Sequence, residues 1–264
     1  MSNTQKNAFE LIFLGTCAAD FSKKLQDEFR DCFDKDARRS SAMLINGRFL
    51  LDCGVHTLES LRIQGVDPRE ITDVFITHLH GDHFRADHIE ELARDREEPL
   101  RLWVHRDAPI GEIANVTLVR MEPLVTYDVD RTLSITGLPA NHAPEAFPRH
   151  FLFQIGEKKV FYGCDGAWFL YPTYRFLRKQ KLSLAVLDCT VGDYGGDFRF
   201  AEHNSIPMIR LMLPSLRAVS IIDENTQIFL SHLAPSLHKS HAETVEIARE
   251  FGAQVAYDGL RVVI

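Results

Sequence analysis

The apolar run Val74-Phe75-Ile76 stops at a knot of imidazole and carboxylate, with His78, His80, Asp82 and His83 inside six residues. The run reads as a buried strand. An extended backbone sends His78 and His80 to the same side at its end, and a turn at Gly81 returns Asp82 and His83 to the same place. Imidazole suits zinc and other first-row transition metals, and an aspartate adds a hard oxygen ligand. Three imidazoles and a carboxylate are costly to hold together without a cation. The stretch therefore predicts a metal-binding strand end, and the fold has to supply whatever completes it.

Other strand patterns end in the same way. Asp52, His142, Asp165, Asp188 and His232 each close an apolar run. A hairpin is expected over Ala42–Ile45 and Arg48–Leu51 through Asn46-Gly47. A second is expected over Phe151–Ile155 and Lys159–Tyr162. Further strands read over Phe9–Leu14, Leu100–His105, Val116–Val119, Leu133–Gly137, Leu184–Leu187, Gln227–Leu230 and, last, Val255–Tyr257. Helices read over His56–Gln64, Arg85–Arg96, Tyr171–Gln180, Ser240–Phe251 and from His203-Asn204 to Leu213. A short helix over Leu25–Phe33 interrupts the polar segment from Cys17 to Ser41. Each half runs hairpin, strand, helix, which two sheets packed face to face with helices outside would bury. Four ligands make one tetrahedral site. His78, His80, Asp82, His83, His142, Asp165 and His232 make seven, enough for two metals about 3.5–4 Å apart bridged by one carboxylate.

The chain has 264 residues, 45% of them hydrophobic and 25% charged, enough for one domain spanning residues 1–264 with a sizeable core. A formal net charge of −7 argues against generic binding to nucleic acid or anionic membrane. No stretch approaches the roughly 20 apolar residues of a membrane span. The polar start, Met1 to Asn7, lacks an apolar signal core. Cys17, Cys32, Cys53, Cys164 and Cys189 are scattered and odd in number, which fits reduced thiols, and a cytoplasmic location is expected. Asp52 and Asp188 are expected to orient ligand imidazoles. Trp168, Phe169 and Tyr171 read as core, and Arg38-Arg39 as a solvated basic pair. His56, His88, His105, His150, His238 and His241 read as exposed or structural.

The motif His78-Leu79-His80-Gly81-Asp82-His83, followed by His142, Asp165 and His232 in order, resembles the metallo-β-lactamase superfamily of hydrolases. That resemblance implies a four-layer αββα sandwich of the α/β (α+β) class. It implies two divalent ions, zinc or manganese: one held by His78, His80 and His142, the other by Asp82, His83 and His232, with Asp165 bridging. A water between the cations, with its pKa lowered, would be the nucleophile. Leu14-Gly15-Thr16 and Ala201-Glu202-His203-Asn204-Ser205 resemble the phosphodiesterase branch, which includes the tRNA 3′-processing endonucleases and the cyclic-phosphate phosphodiesterase of the carbon–phosphorus lyase pathway. On that likeness His203 protonates the leaving oxygen, and His203 and Asp82 are the residues expected at the chemistry. Asp20 to Ser40 holds only Cys32, so a cysteine-rich zinc loop is not expected, and no basic arm for tRNA is visible. The expected partner is a small or cyclic phosphodiester, not a large nucleic acid, with no membrane and with a homodimer left open. The alternative is a thiolester or lactone hydrolase on the same site, which would not need His203.

Overall fold

The computed structural model describes residues 8–264; the polar start, residues 1–7, lies outside the described residues. In chain order the first half holds β1 (Glu10–Gly15), α1 (Lys24–Asp27), β2 (Ala42–Ile45), β3 (Phe49–Leu51), α2 (Thr57–Gln64), β4 (Asp73–Phe75), α3 (Ala86–Ala93), β5 (Leu100–His105) and β6 (Val116–Met121). The second half holds β7 (Thr126–Asp128), β8 (Leu133–Pro139), β9 (Arg149–Ile155), β10 (Lys158–Gly163), α4 (Tyr171–Leu177), β11 (Leu184–Asp188), α5 (Ile206–Ala218), β12 (Gln227–Ser231), α6 (His241–Arg249), β13 (Gln254–Val255) and β14 (Arg261–Val263). One sheet has the order β14-β1-β2-β3-β4-β5-β6 and the other β13-β12-β11-β10-β9-β8-β7.

Strand alternation builds the layers. Along β1, Leu11 and Phe13 enter the core between the sheets, while Ile12 and Leu14 join an outer cluster with Leu61 of α2 and Ile89 and Leu92 of α3. Along β9, Phe151, Phe153 and Ile155 enter the same central core, and Leu152 faces an outer cluster with Ile209, Leu213 and Leu216 of α5 and Ala248 of α6. The period of two on each strand thus fills three apolar interfaces between four layers, giving the αββα sandwich. Local chemistry sets the helix ends. Gly65 closes α2 at φ 69°, and Ser240 with Glu243 forms a capping box at α6.

Four expectations change. The helix expected over Leu25–Phe33 shrinks to α1, four residues. The last strand is β14, three residues paired with β1, too short for its alternation to show in sequence. The helix expected from His203 begins at Ile206, because the Ser205 side chain accepts from Met208 N–H as its cap; His203 is left in the preceding turn. Arg38 and Arg39 are not solvated, at 4% and 0% exposure. Arg39 binds Glu59 and the carbonyls of Phe29 and Cys32, and Arg38 binds Thr16 Oγ1, Ala256 O and His241 Nδ1. Beside them Asp258 is fully enclosed, accepting from the Thr16 hydroxyl at 2.8 Å and Arg39 N–H at 2.7 Å. The two arginines fasten the polar 17–41 segment to the body of the protein.

Candidate metal centre

Topology turns the candidate strand ends to one edge. β3 to β6 run parallel, as do β10, β11 and β12. β8 is antiparallel to β9 and β9 to β10, so β8 runs with β10. Asp52 follows β3, residues 78–83 follow β4, His142 follows β8, Asp165 follows β10, Asp188 ends β11 and His232 follows β12. Asp52, Asp165 and His232 adopt the left-handed conformation, at φ 60°, 57° and 59°. That region costs a non-glycine residue about 1 kcal/mol or more and recurs at functional sites. Here it breaks each strand abruptly, and all three side chains end in one cluster.

The seven residues fall into two sets that share Asp165. His78, His80, His142 and Asp165 form one, and Asp82, His83, Asp165 and His232 the other; within each set the ligand atoms lie within 4.8 Å of one another. His80 Nδ1 is 3.0 Å from His78 Nε2 and 3.1 Å from His142 Nε2. Asp165 Oδ2 lies 3.2 Å from His78 Nε2 and 3.3 Å from both His83 Nε2 and His232 Nε2. A tetrahedron with bonds of about 2.0–2.1 Å has edges of about 3.3 Å, so the spacing fits a cation at the centre of each set. Asp165 Oδ1 and His142 Nδ1 are buried without a hydrogen-bond partner among the described residues.

The surrounding hydrogen bonds aim the ligand nitrogens inward. His83 Nδ1 lies 2.8 Å from Asp52 Oδ2. A carboxylate only accepts, so Nδ1 carries the hydrogen and Nε2 is free as a ligand. The Thr77 hydroxyl sits 2.9 Å from both Asp52 oxygens and 3.1 Å from His78 Nδ1, which frees His78 Nε2 in the same way. In the other sheet Thr190 Oγ1 and Asp188 Oδ2 face His232 Nδ1 at 2.8 and 3.2 Å. Asp52 and Asp188 thus take the supporting places expected of them. Thr77 and Thr190 were not anticipated; each is a strand-end hydroxyl beside a ligand or its carboxylate, a weak signal in sequence.

The carboxylates favour protons on two of the imidazoles. Burial opposes charge on His83 and His232, yet Asp82, Asp52 and Asp165 around the first, and Asp165 around the second, outweigh it and hold both pKa values well above the usual imidazole range. Burial pushes His142 the other way, to about 4. A metal would displace the two protons.

His203 stands at the side of the cluster. Its Nδ1 is 3.2 Å from Asp188 Oδ2, 3.2 Å from Asp165 Oδ1 and 3.1 Å from Thr190 Oγ1. It also lines a cavity of about 230 Å³ with Trp168, Tyr194, Phe200, Met208 and Leu211. Trp168 and Tyr171 are therefore not core residues: they are 38% and 68% exposed, whereas Phe169 packs on the outer cluster of the second sheet. His238 and His241 do not enter the site; His238 Nε2 donates to Cys189 O and His241 meets Arg38. A larger cavity of about 640 Å³, lined by Lys158, Lys159 and Lys181, lies at the opposite ends of β10 and β11, away from these ligands. No described helix is long and apolar enough to cross a membrane.

Comparison with known proteins agrees with this geometry. A family model described as anti-Pycsar protein Apyc1 matches residues 9–107. Ribonuclease Z of Methanothermobacter thermautotrophicus is 38% identical over 98 residues, which are 36% of this chain and 28% of that protein. The chain thus spans less than a third of that relative's length. Among solved structures, the metallo-β-lactamase fold protein YhfI from Bacillus subtilis superposes with a TM-score of 0.75 at 15% identity, over 98% of this chain and all of that one. A diphosphatase from the PhnP family superposes with a TM-score of 0.70 at 16% identity, over 97% of both chains. The chain therefore has the metallo-β-lactamase fold, carries a His/Asp cluster compatible with divalent metal at the edge joining its two sheets, and is similar in sequence to ribonuclease Z over part of its length.

Proposed function

We propose that the chain is one hydrolase domain that uses two divalent ions, zinc or manganese, to cleave a small or cyclic phosphodiester in the cytoplasm. The observation that carries this reading is the sharing of Asp165 between two four-residue ligand sets. Cations held by these two sets would supply Lewis acidity and would lower the pKa of a bound water. The chain's own side chains do the rest. Asp52, Thr77, Asp188 and Thr190 lock the imidazoles with their ligand nitrogens inward. Asp82, at 10% side-chain exposure against 3% for Asp165, borders the open side where substrate enters. Asp188 steadies the His203 imidazolium through Nδ1, leaving Nε2 to hand a proton to the leaving oxygen. The cavity beside His203, of about 230 Å³ and lined by Trp168 and Phe200, suits one flat apolar group on the phosphodiester. Its size and the net charge of −7 favour a small substrate over a long polyanion. All five cysteines are free, which supports the reducing compartment.

Two measurements test the reading. Elemental analysis of the purified protein should find about two divalent ions per chain. His203→Ala should slow an alkyl phosphodiester, a poor leaving group, at least about tenfold more than a nitrophenyl phosphodiester, which needs no acid. A metal-free protein that hydrolyses either ester overturns the first part, and equal slowing of the two esters overturns the role of His203.

A further inference from the structure

β9 carries one residue that breaks its own pattern. Phe151, Phe153 and Ile155 project into the central core, and Arg149 continues that row at the end nearest the metal cluster. It is 4% exposed. It packs over Gly137 on β8, where a Cβ would stand at ordinary contact distance, 3.5 Å from Arg149 Nη1 and 3.7 Å from its Cδ. The guanidinium lies 5.9 Å from the Phe151 ring, and its Nε and Nη2 are buried without a hydrogen-bond partner among the described residues. Burial lowers its pKa to about 9, and Tyr127 is the one ionisable group that acts against this. An enclosed guanidinium with no carboxylate costs several kcal/mol.

Its neighbours are donors too. Tyr127 Oη accepts Glu122 N–H at 3.0 Å, which leaves the hydroxyl hydrogen to give. His105, two residues beyond Trp103 on β5, feels the charge of Arg149. Its ring lies 5.7 Å from that of Phe147. Its Nδ1 accepts Asp107 N–H at 3.1 Å, so the neutral ring bears its hydrogen on Nε2. Guanidinium, phenol and imidazole thus act on one another here; the carboxylates of Asp107 and Glu122 act on His105, and none acts on Arg149.

We propose that Arg149, with His105 and Tyr127, binds a small oxyanion of the phosphate or sulfate kind, at a site separate from the metal ligands. The guanidinium fork matches two oxygens of such an anion. The enclosure of Arg149 limits the ligand to inorganic size. The site also touches the metal-bearing loop, since Arg149 N–H donates to Thr77 O at 3.0 Å, one residue before His78.

Sulfate tests this on the metal-loaded protein at constant ionic strength. The melting temperature should rise saturably, by about 3–5 °C at ten times the dissociation constant. Arg149→Met should abolish the saturable rise and melt higher than the wild type without sulfate; Arg149→Lys should keep a weaker rise. A saturable rise that survives in Arg149→Met would put the anion elsewhere, at the metals included, and overturn the proposal, as would parallel unsaturable slopes in both proteins. If Arg149→Met does not fold, the arginine Nε–H resonances of the wild type decide: one should move on titration with sulfate, and none moving overturns the proposal.

Discussion

Gly54 lies outside the histidine motif, yet the loop that carries Asp82 and His83 rests on it. Cys53 N–H donates to His83 O and Arg85 N–H to Cys53 O, so Cys53 and Phe84 form a short parallel bridge that presses Gly54 flat against the Asp82–His83 peptide. A Cβ on Gly54 would stand 1.7 Å from the Asp82 carbonyl oxygen, 2.2 Å from its carbon and 2.8 Å from His83 N. All three are backbone atoms, so no side chain can turn away. Restoring an ordinary contact requires the two strands of backbone to separate by about 1.5 Å. Overpacking of this kind costs about 1–3 kcal/mol or more, and misplacing a reacting group by about 1 Å costs about 100-fold in rate. Gly54→Ala should therefore lower the melting temperature by several degrees and, on the proposed function, lower the metal content and reduce phosphodiester turnover about 100-fold. Gly81, inside the motif, is the control: a Cβ there meets nothing within 4 Å, and its φ is not among the positive ones. Gly81→Ala should keep its metal and its rate within about twofold. Elemental analysis, calorimetry and steady-state rates on the two variants decide. A Gly54→Ala protein with wild-type metal content and turnover would refute the reasoning.

Two further perturbations isolate single side chains. Asp52→Ala leaves His83 Nδ1 and the Thr77 hydroxyl without their acceptor and should weaken metal binding about 10–100-fold, read by competition with a chromogenic chelator; unchanged affinity would mean that the imidazoles hold their orientation by packing alone. Burial raises the Asp258 carboxyl to about 7, against the hydrogen bond from Arg39 N–H and the charge of Arg38. Its folded pKa exceeds its unfolded one, so the stability linked to its proton is complete below about pH 4 and is lost as pH rises through 7. Asp258→Asn should remove that slope, worth about 4 kcal/mol at most. Denaturant melts of both proteins from pH 5 to 8 measure it, and parallel curves would show that Asp258 stays ionised.

The legible parts of the chain were those with a local signal. Asn46-Gly47 fixes a hairpin whatever surrounds it, and the alternation along Leu11 to Leu14 or Phe151 to Ile155 needs no partner to be seen. The metal cluster was legible because each of its members closes a strand, and parallel strands put their ends together. Residues whose environment comes from distant segments were not. Arg39 is buried only because Glu59 and the carbonyls of Phe29 and Cys32 surround it, and no window of sequence holds those groups together. Trp168 looks like a core residue by type, but its φ of 35° belongs to a turn that leaves it at the cavity mouth. Thr77 and Thr190 take their importance from the carboxylates they touch.

The spread of the ligand set also governs how the centre comes into being. His78, His80, Asp82 and His83 leave the ribosome almost together, but His232 follows His78 by about 150 residues. At about 5–20 residues per second, that gap lasts on the order of ten to thirty seconds. His142 and Asp165 emerge inside that gap, about 64 and 87 residues after His78, but both follow strands of the second sheet, so until that sheet docks a nascent chain would present a cation with only the first-sheet half of each set. Docking of the second sheet delivers His142, Asp165 and His232 together, so a cation would meet complete ligand sets only in the folded chain. Selection then lies with the folded geometry, not with whichever ion the first histidines meet.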